Sequence, residues 1–111
     1  MPSAREVEPN KWAEHRILFD NGSYSVIAGK YDGREEMTLG ERWNGHPGHG
    51  ELGFPNVFGR PVWHVVPDFL HLYVLHGVLA ELSRDPTRVG AEEQLKATLE
   101  VLKTYPMPTA S

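Results

Sequence analysis

The chain contains no cysteine, which removes disulfide staples, thiolate nucleophiles and cysteine-ligated metals together and is compatible with a reducing, cytoplasmic setting. Nor has it an apolar run long enough to cross a bilayer. The longest, in residues 69–82, is interrupted by His71, His76 and Gly77, so no membrane partner is expected. The first residues, Met-Pro-Ser-Ala-Arg-Glu, lack the basic-then-apolar order of a secretory leader. Clustered positive charge is missing too. The formal charge is −4, with acidic and basic residues interspersed from end to end, so nothing resembles the cation cluster that displaces counterions from nucleic acid. Absent as well are a Gly-x-Ser-x-Gly elbow and the glycine-rich loops that cradle phosphates. Glu35 and Glu36 are neighbours on an expected strand and point to opposite faces, so they do not make a paired-carboxylate site.

What is present is organised around residues 15–43. Asn21-Gly22 and Asp32-Gly33 each stand between alternating apolar residues, the pattern of a two-residue type I′ hairpin turn. Two-residue loops pair Asp20 with Ser23 and Tyr31 with Arg34. Counting outward sets Phe19 opposite Tyr24, Ile17 opposite Val26, Ala28 opposite Met37 and Val26 opposite Leu39. These residues and Trp43 then share one apolar face. Arg16, Ser25, Gly29, Glu36, Thr38, Gly40 and Arg42 take the other, with Leu18 and Ile27 as apolar exceptions.

The three strands, about 15–20, 23–31 and 35–43, are followed by a glycine-rich 44–60 loop holding Leu52, Phe54, Val57 and Phe58. Residues 61–67 read as a fourth strand with a proline at each end. Asp68 is placed to cap a helix over about 69–84 whose apolar residues cover most of its circumference, and Asp85-Pro86 stops it. A second helix begins near Ala91, with Glu92 and Glu93 in its first turn and a stripe of Ala91, Leu95, Leu99 and Leu102 with Val101 beside it. The expected fold class is α+β, a four-stranded antiparallel meander followed by two C-terminal helices packed on one face. It spans 15–105 as a single domain, between a flexible N-terminal arm, 1–14, and a disordered tail, 106–111. Two helices do not cover a helix as apolar as 69–84 on every side, so a homodimer is expected, with a protein or a small molecule as a further candidate partner.

Six histidines are many for 111 residues. His46-Pro-Gly-His49, with Glu51 nearby and His64 on the next strand, is the one local set with metal-ligand types; a glycine-rich turn also uses such residues as exposed polar groups, and no metal or other cofactor is assigned. His71 and His76 diverge by about 140° on a helix and read as histidines bonded to backbone or nearby groups. No catalytic residue is assigned, which leaves the enzyme question open and leaning to no. The outer sheet face is more informative. Ser25, Gly29, Thr38 and Gly40 make a shallow floor bordered by Arg16, Arg42, Ile27 and His64, open to the 44–60 loop, a partner chain or a small ligand. Arg42 and Arg60 suit a carboxylate or phosphate, or else pair with Glu36 or Glu51. The ligand-binding candidates are Arg16, Arg42, Trp43, Phe54, Arg60 and His64.

The strings Leu39-Gly-Glu-Arg-Trp-Asn-Gly45, Gly53-Phe-Pro55 and Gly59-Arg-Pro-Val-Trp-His-Val-Val-Pro67 resemble small bacterial proteins of unknown function, in which an Arg-Trp-Asn-Gly strand end precedes a Gly-Phe-Pro loop and a Pro-x-Trp strand. Residues 46–52 look like an insertion relative to a shorter loop. The resemblance implies a soluble bacterial domain and carries no activity. The reading that results is a non-enzymatic binding or protein-interaction domain using the 44–60 loop and the outer sheet face. Its alternatives are a small metal-dependent or acid/base enzyme using His46, His49, Glu51 and His64, and nucleic-acid contact through Arg34, Arg42, Trp43 and Arg60.

Overall fold

Alternating apolar residues on either side of the two glycine-containing turns build three long strands, β1 (Trp12–Asp20), β2 (Tyr24–Tyr31) and β3 (Met37–Trp43). The structure, a computed structural model, describes residues 12–44, 53–57 and 60–105. Two short strands, β4 (Asn56–Val57) and β5 (Arg60–Pro61), pair with each other, and β6 (His64–Val65) joins the main sheet, whose antiparallel order is β1-β2-β3-β6. A 3-10 turn (Asp68–Leu70) leads into α1 (His71–Arg84), and α2 (Ala91–Leu102) follows. Both helices pack on one face of the sheet, which makes the α+β arrangement expected from the pattern. Residues 1–11 of the expected arm and 106–111 of the expected tail lie outside the described residues.

The register differs from the one counted off the turns. At Asp32-Gly33 the turn forms as expected, with φ of 53° and 77° and the Arg34 amide donating to the Tyr31 carbonyl. The ladder then resumes at Lys30–Met37, so Ala28 faces Leu39 and Val26 faces Glu41. Two extra residues leave every side chain on its expected face. At Asn21-Gly22 the side chains intervene: Asn21 Oδ1 accepts from the Ser23 and Tyr24 amides and Asp20 Oδ1 from the Gly22 amide, which widens the loop so that Asp20 pairs with Ser25.

β1 then breaks the even count. Phe19 pairs with Val26 but Ile17 pairs with Ile27, leaving Leu18 as one residue too many. A one-residue irregularity flips everything beyond it. Ile17 therefore turns to the outer face and Arg16, opposite Ala28, to the helix face, the reverse of the expected assignment. A second irregularity sets Glu14 and His15 against Gly29, with Glu14 at φ 53°. A Cβ on Gly29 would lie 3.1 Å from the Ala13 carbonyl oxygen and from His15 Cα, so the glycine admits the bulged strand. The strand reaches back to Trp12, three residues before the expected start.

Two apolar clusters result. On the helix face, Leu18, Phe19, Val26, Ala28, Leu39 and Val66 meet Leu75, Val78 and Leu82 of α1 and Ala91, Ala97 and Val101 of α2. On the outer face Trp12, Ile27 and Trp63 pack with Ile17, Tyr31 and Val65. The expected open floor is thus filled by the chain's own tryptophans. A Cβ on Gly40 would sit 2.8 Å from the Trp12 ring, which is why no side chain stands there.

The helices carry smaller corrections. Asp68 makes no side-chain cap; it lies in the 3-10 turn, and α1 proper starts at His71. The buried stripe of α2 is Ala91, Ala97, Thr98 and Val101, rotated from the expected leucine stripe so that Leu99 is exposed. Thr98 fixes this rotation, its hydroxyl reaching the Leu18 carbonyl at 3.2 Å.

Candidate functional site

Cross-strand partners share a face, and at one end of the sheet three such partners are aromatic. Tyr24 pairs with Trp43 across β2 and β3, and Trp43 pairs in turn with Phe54, its amide 2.7 Å from the Phe54 carbonyl and its own carbonyl accepting from the Phe54 amide at 2.8 Å. The Tyr24 and Trp43 rings lie 4.8 Å apart and tilted. Tyr24 packs against the helix-face cluster, while Trp43 is 58% and Phe54 66% exposed. The next row on the same face is Val26, Glu41 and His64. Burial, and after it the charge and hydrogen bond of Glu41, push the Tyr24 phenol well above the ordinary tyrosine range, so it stays a neutral donor. The surface is a row of three aromatic rings edged by a carboxylate and an imidazole.

The support lies directly beneath, on the outer face. Arg42 is only 1% exposed, and its guanidinium donates to the carbonyls of Val62, at 2.9 Å, and Trp43, at 3.3 Å. Burial pulls its pKa down. Beside it Ser25 donates to Asn44 Oδ1 at 2.9 Å and Asn44 Nδ2 to Asp20 at 3.2 Å, while the Asn44 amide reaches the Ser23 carbonyl at 2.7 Å. Gly53, at φ 77°, has no room for a Cβ against the Trp43 carbonyl. Polar groups buried this way are worth their desolvation only when satisfied. Here Arg42 ties Val62 to the end of β3, and the paired backbone bonds hold Phe54 beside Trp43.

The six ligand-binding candidates are therefore dispersed. Trp43 and Phe54 stand together in the open, with His64 one row away and exposed. Arg42 is interior. Arg16 is on the helix face, its guanidinium 2.6 Å from Glu100 of α2. Arg60 pairs with Val57 in the small ladder, and its side chain is outside the described residues. His46, His49 and Glu51 of the expected metal cluster lie outside them as well. Among the described residues no group of three metal-ligating side chains converges. Of the two helix histidines His71 bonds as expected, with Nε2 donating to the Val66 carbonyl at 3.0 Å and Nδ1 accepting from Tyr105 at 2.8 Å, whereas His76 is exposed.

The chain matches no protein-family model, no curated protein and no solved structure. Its site has to be argued from its own residues. The sequence reading missed Tyr24 as a member of the row and set Trp43 on the face the helices were to cover while also naming it a ligand-binding candidate, because alternation gives the face of a side chain but not its exposure. Trp12 was missed as the cover of the outer floor. Gly29, opposite the irregular stretch of β1, and Gly40, beneath the Trp12 ring, were the available signal.

Proposed function

We propose that this chain is a non-enzymatic protein-interaction domain whose recognition surface is the Tyr24–Trp43–Phe54 row, with Glu41 and His64 at its edge. The carrying observation is that two large aromatic residues stand side by side in the open, paired through their backbones and backed by a buried arginine. A protein does not gain stability by leaving them there, and tryptophan and tyrosine dominate the energetics of protein interfaces. This keeps the 44–60 loop in the reading through Phe54 and removes the outer sheet face, which is filled. The acidic edge suits a partner presenting apolar and cationic side chains, since a cation over an indole is attracted by the ring's negative face. A cysteine-free chain with no described helix able to cross a membrane fits such a role in the cytoplasm. We propose also that it acts as a homodimer.

Selection of short peptides from a displayed random library tests the surface. Enriched sequences should combine arginine or lysine with apolar residues and bind the Trp43→Ala/Phe54→Ala chain at least about tenfold more weakly than the wild type. Enriched peptides that bind both chains equally would remove the row from the reading.

A further inference from the structure

Helix α1 carries two opposed stripes. His71, Leu75, Val78 and Leu82 face the core. On the other side, within roughly 60° of arc at about 100° per residue, stand Tyr73, Gly77, Ala80 and Arg84, all exposed, and the 3-10 turn leading into the helix adds Phe69. Phe69 is 76% and Tyr73 75% exposed, and a Cβ on Gly77 would meet nothing within 4 Å. An outward helix face ordinarily carries polar and charged residues. This one carries two large aromatics at its start, no side chain at its middle, then a methyl group and a cation.

The order of sizes along the stripe selects the occupant. Turned end for end about a dyad beside Gly77, a second copy sets its own stripe on this one. Tyr73 then lies over Ala80 of the second copy, the two Gly77 positions let the backbones approach, and Phe69 meets the aliphatic stem of Arg84. Charge matches in the same orientation. Asp68, its side chain 93% exposed and 3.7 Å from His71 Nε2, stands at one end, and Arg84, 76% exposed and paired along its own helix with Glu81, stands at the other. Antiparallel docking brings each acid to the base of the second copy and opposes the helix dipoles. An isologous contact needs a surface complementary to itself, and large against small with acid against base meets that need. We propose that two copies of this chain associate through α1, antiparallel, crossing at Gly77. The proposal rests on the homodimer reading above and adds the face that carries it.

Sedimentation equilibrium of the full chain over micromolar concentrations tests it. The wild type should associate. Tyr73→Glu and Gly77→Gln, each retaining the wild-type circular dichroism, should raise the dissociation constant at least about tenfold, whereas Trp43→Ala leaves it unchanged. Asp68→Arg and Arg84→Asp should each weaken association, and the two together should restore it. A wild type that stays monomeric at about 100 μM, where even weak dimers of this size class associate, overturns both the homodimer and its face. A wild-type dimer indifferent to Tyr73→Glu and Gly77→Gln keeps the homodimer and overturns the face. Failure of the charge exchange to restore association overturns the antiparallel orientation.

Discussion

The two faces of the sheet are filled by different means. The helix face is closed by area: Val26, Ala28 and Leu39 meet α1 and α2 in a continuous apolar layer, and the contribution of each residue scales with the surface it removes from water. The outer face is closed by fit. Trp12 lies on a position that has to be glycine, Ile17 arrives there only because β1 carries an extra residue, and a buried arginine fastens the segment above it. Trp63 Nε1 is buried there with no hydrogen-bond partner among the described residues, a cost of about 1–3 kcal/mol that the packing has to exceed. The first face tolerates a shift of two in register. The second does not tolerate a methyl group.

Substitutions should separate the two. Leu39→Ala, in the fully buried helix-face layer, should lower the stability of the whole domain by about 2–5 kcal/mol in chemical denaturation. On the outer face the size of the effect should depend on a single neighbour. Gly40→Val should cost about 1–3 kcal/mol by overpacking against Trp12. With Trp12→Ala already made, the same valine still meets Ile27 Cγ1 at 3.2 Å but should cost much less, a coupling of about 0.5–3 kcal/mol in a double-mutant cycle. An equal cost in both backgrounds would mean that fit to Trp12 is not what reserves position 40.

The clamp should respond more weakly and more locally. Arg42→Ala strands the Val62 carbonyl, takes one of its two donors from the Trp43 carbonyl, and should cost about 1–3 kcal/mol. Hydrogen exchange is the sharper readout. The amides of Trp43, Phe54 and Val62 should exchange much faster, while those of α1 and α2 shift only by the global loss. Uniform acceleration would show the clamp to be part of the same cooperative unit as the helix face.

This contrast explains how much of the molecule was legible in the sequence. The α+β class, the strand order through β3 and the helix-face residues Phe19, Val26, Ala28 and Leu39 follow from alternation and turn chemistry, and they survived two register changes because both were even. Ile17 and Arg16 were assigned to the wrong faces because the count kept strict alternation through Leu18, whose standing as an apolar exception was the one sign of a bulge; the Thr98 contact that accompanies it comes from a residue 80 positions away. Arg42 read as a ligand group because a sequence shows charge and not burial. The aromatic row was half legible. Trp43 and Phe54 were both singled out, but their pairing depends on Gly53 and on the polar clamp, contacts that no periodicity reports.

The smallest expected effect lies in alkaline pH, and it belongs to the helix face alone. Both tyrosines with raised pKa values, Tyr24 and Tyr105, pack against that cluster. Burial, with the nearby Asp68 charge adding to it, pushes the Tyr105 phenol up to about 12, and its hydroxyl donates to His71 Nδ1 at 2.8 Å. A phenol ionises near 10 in the unfolded chain, so the folded state resists losing a proton that the unfolded state gives up readily. The associated stability is complete below about pH 10 and is lost as pH rises toward about 12. Tyr105→Phe should therefore cost only about 0.5–1.5 kcal/mol at neutral pH, the net worth of one hydrogen bond. It should also flatten the fall in denaturation midpoint above about pH 10, with Tyr24 supplying the slope that remains. Trp12→Ala, on the outer face, should lower the midpoint at every pH and leave the slope as it was. If Trp12→Ala flattens the alkaline slope as much as Tyr105→Phe does, the two faces are not energetically separate.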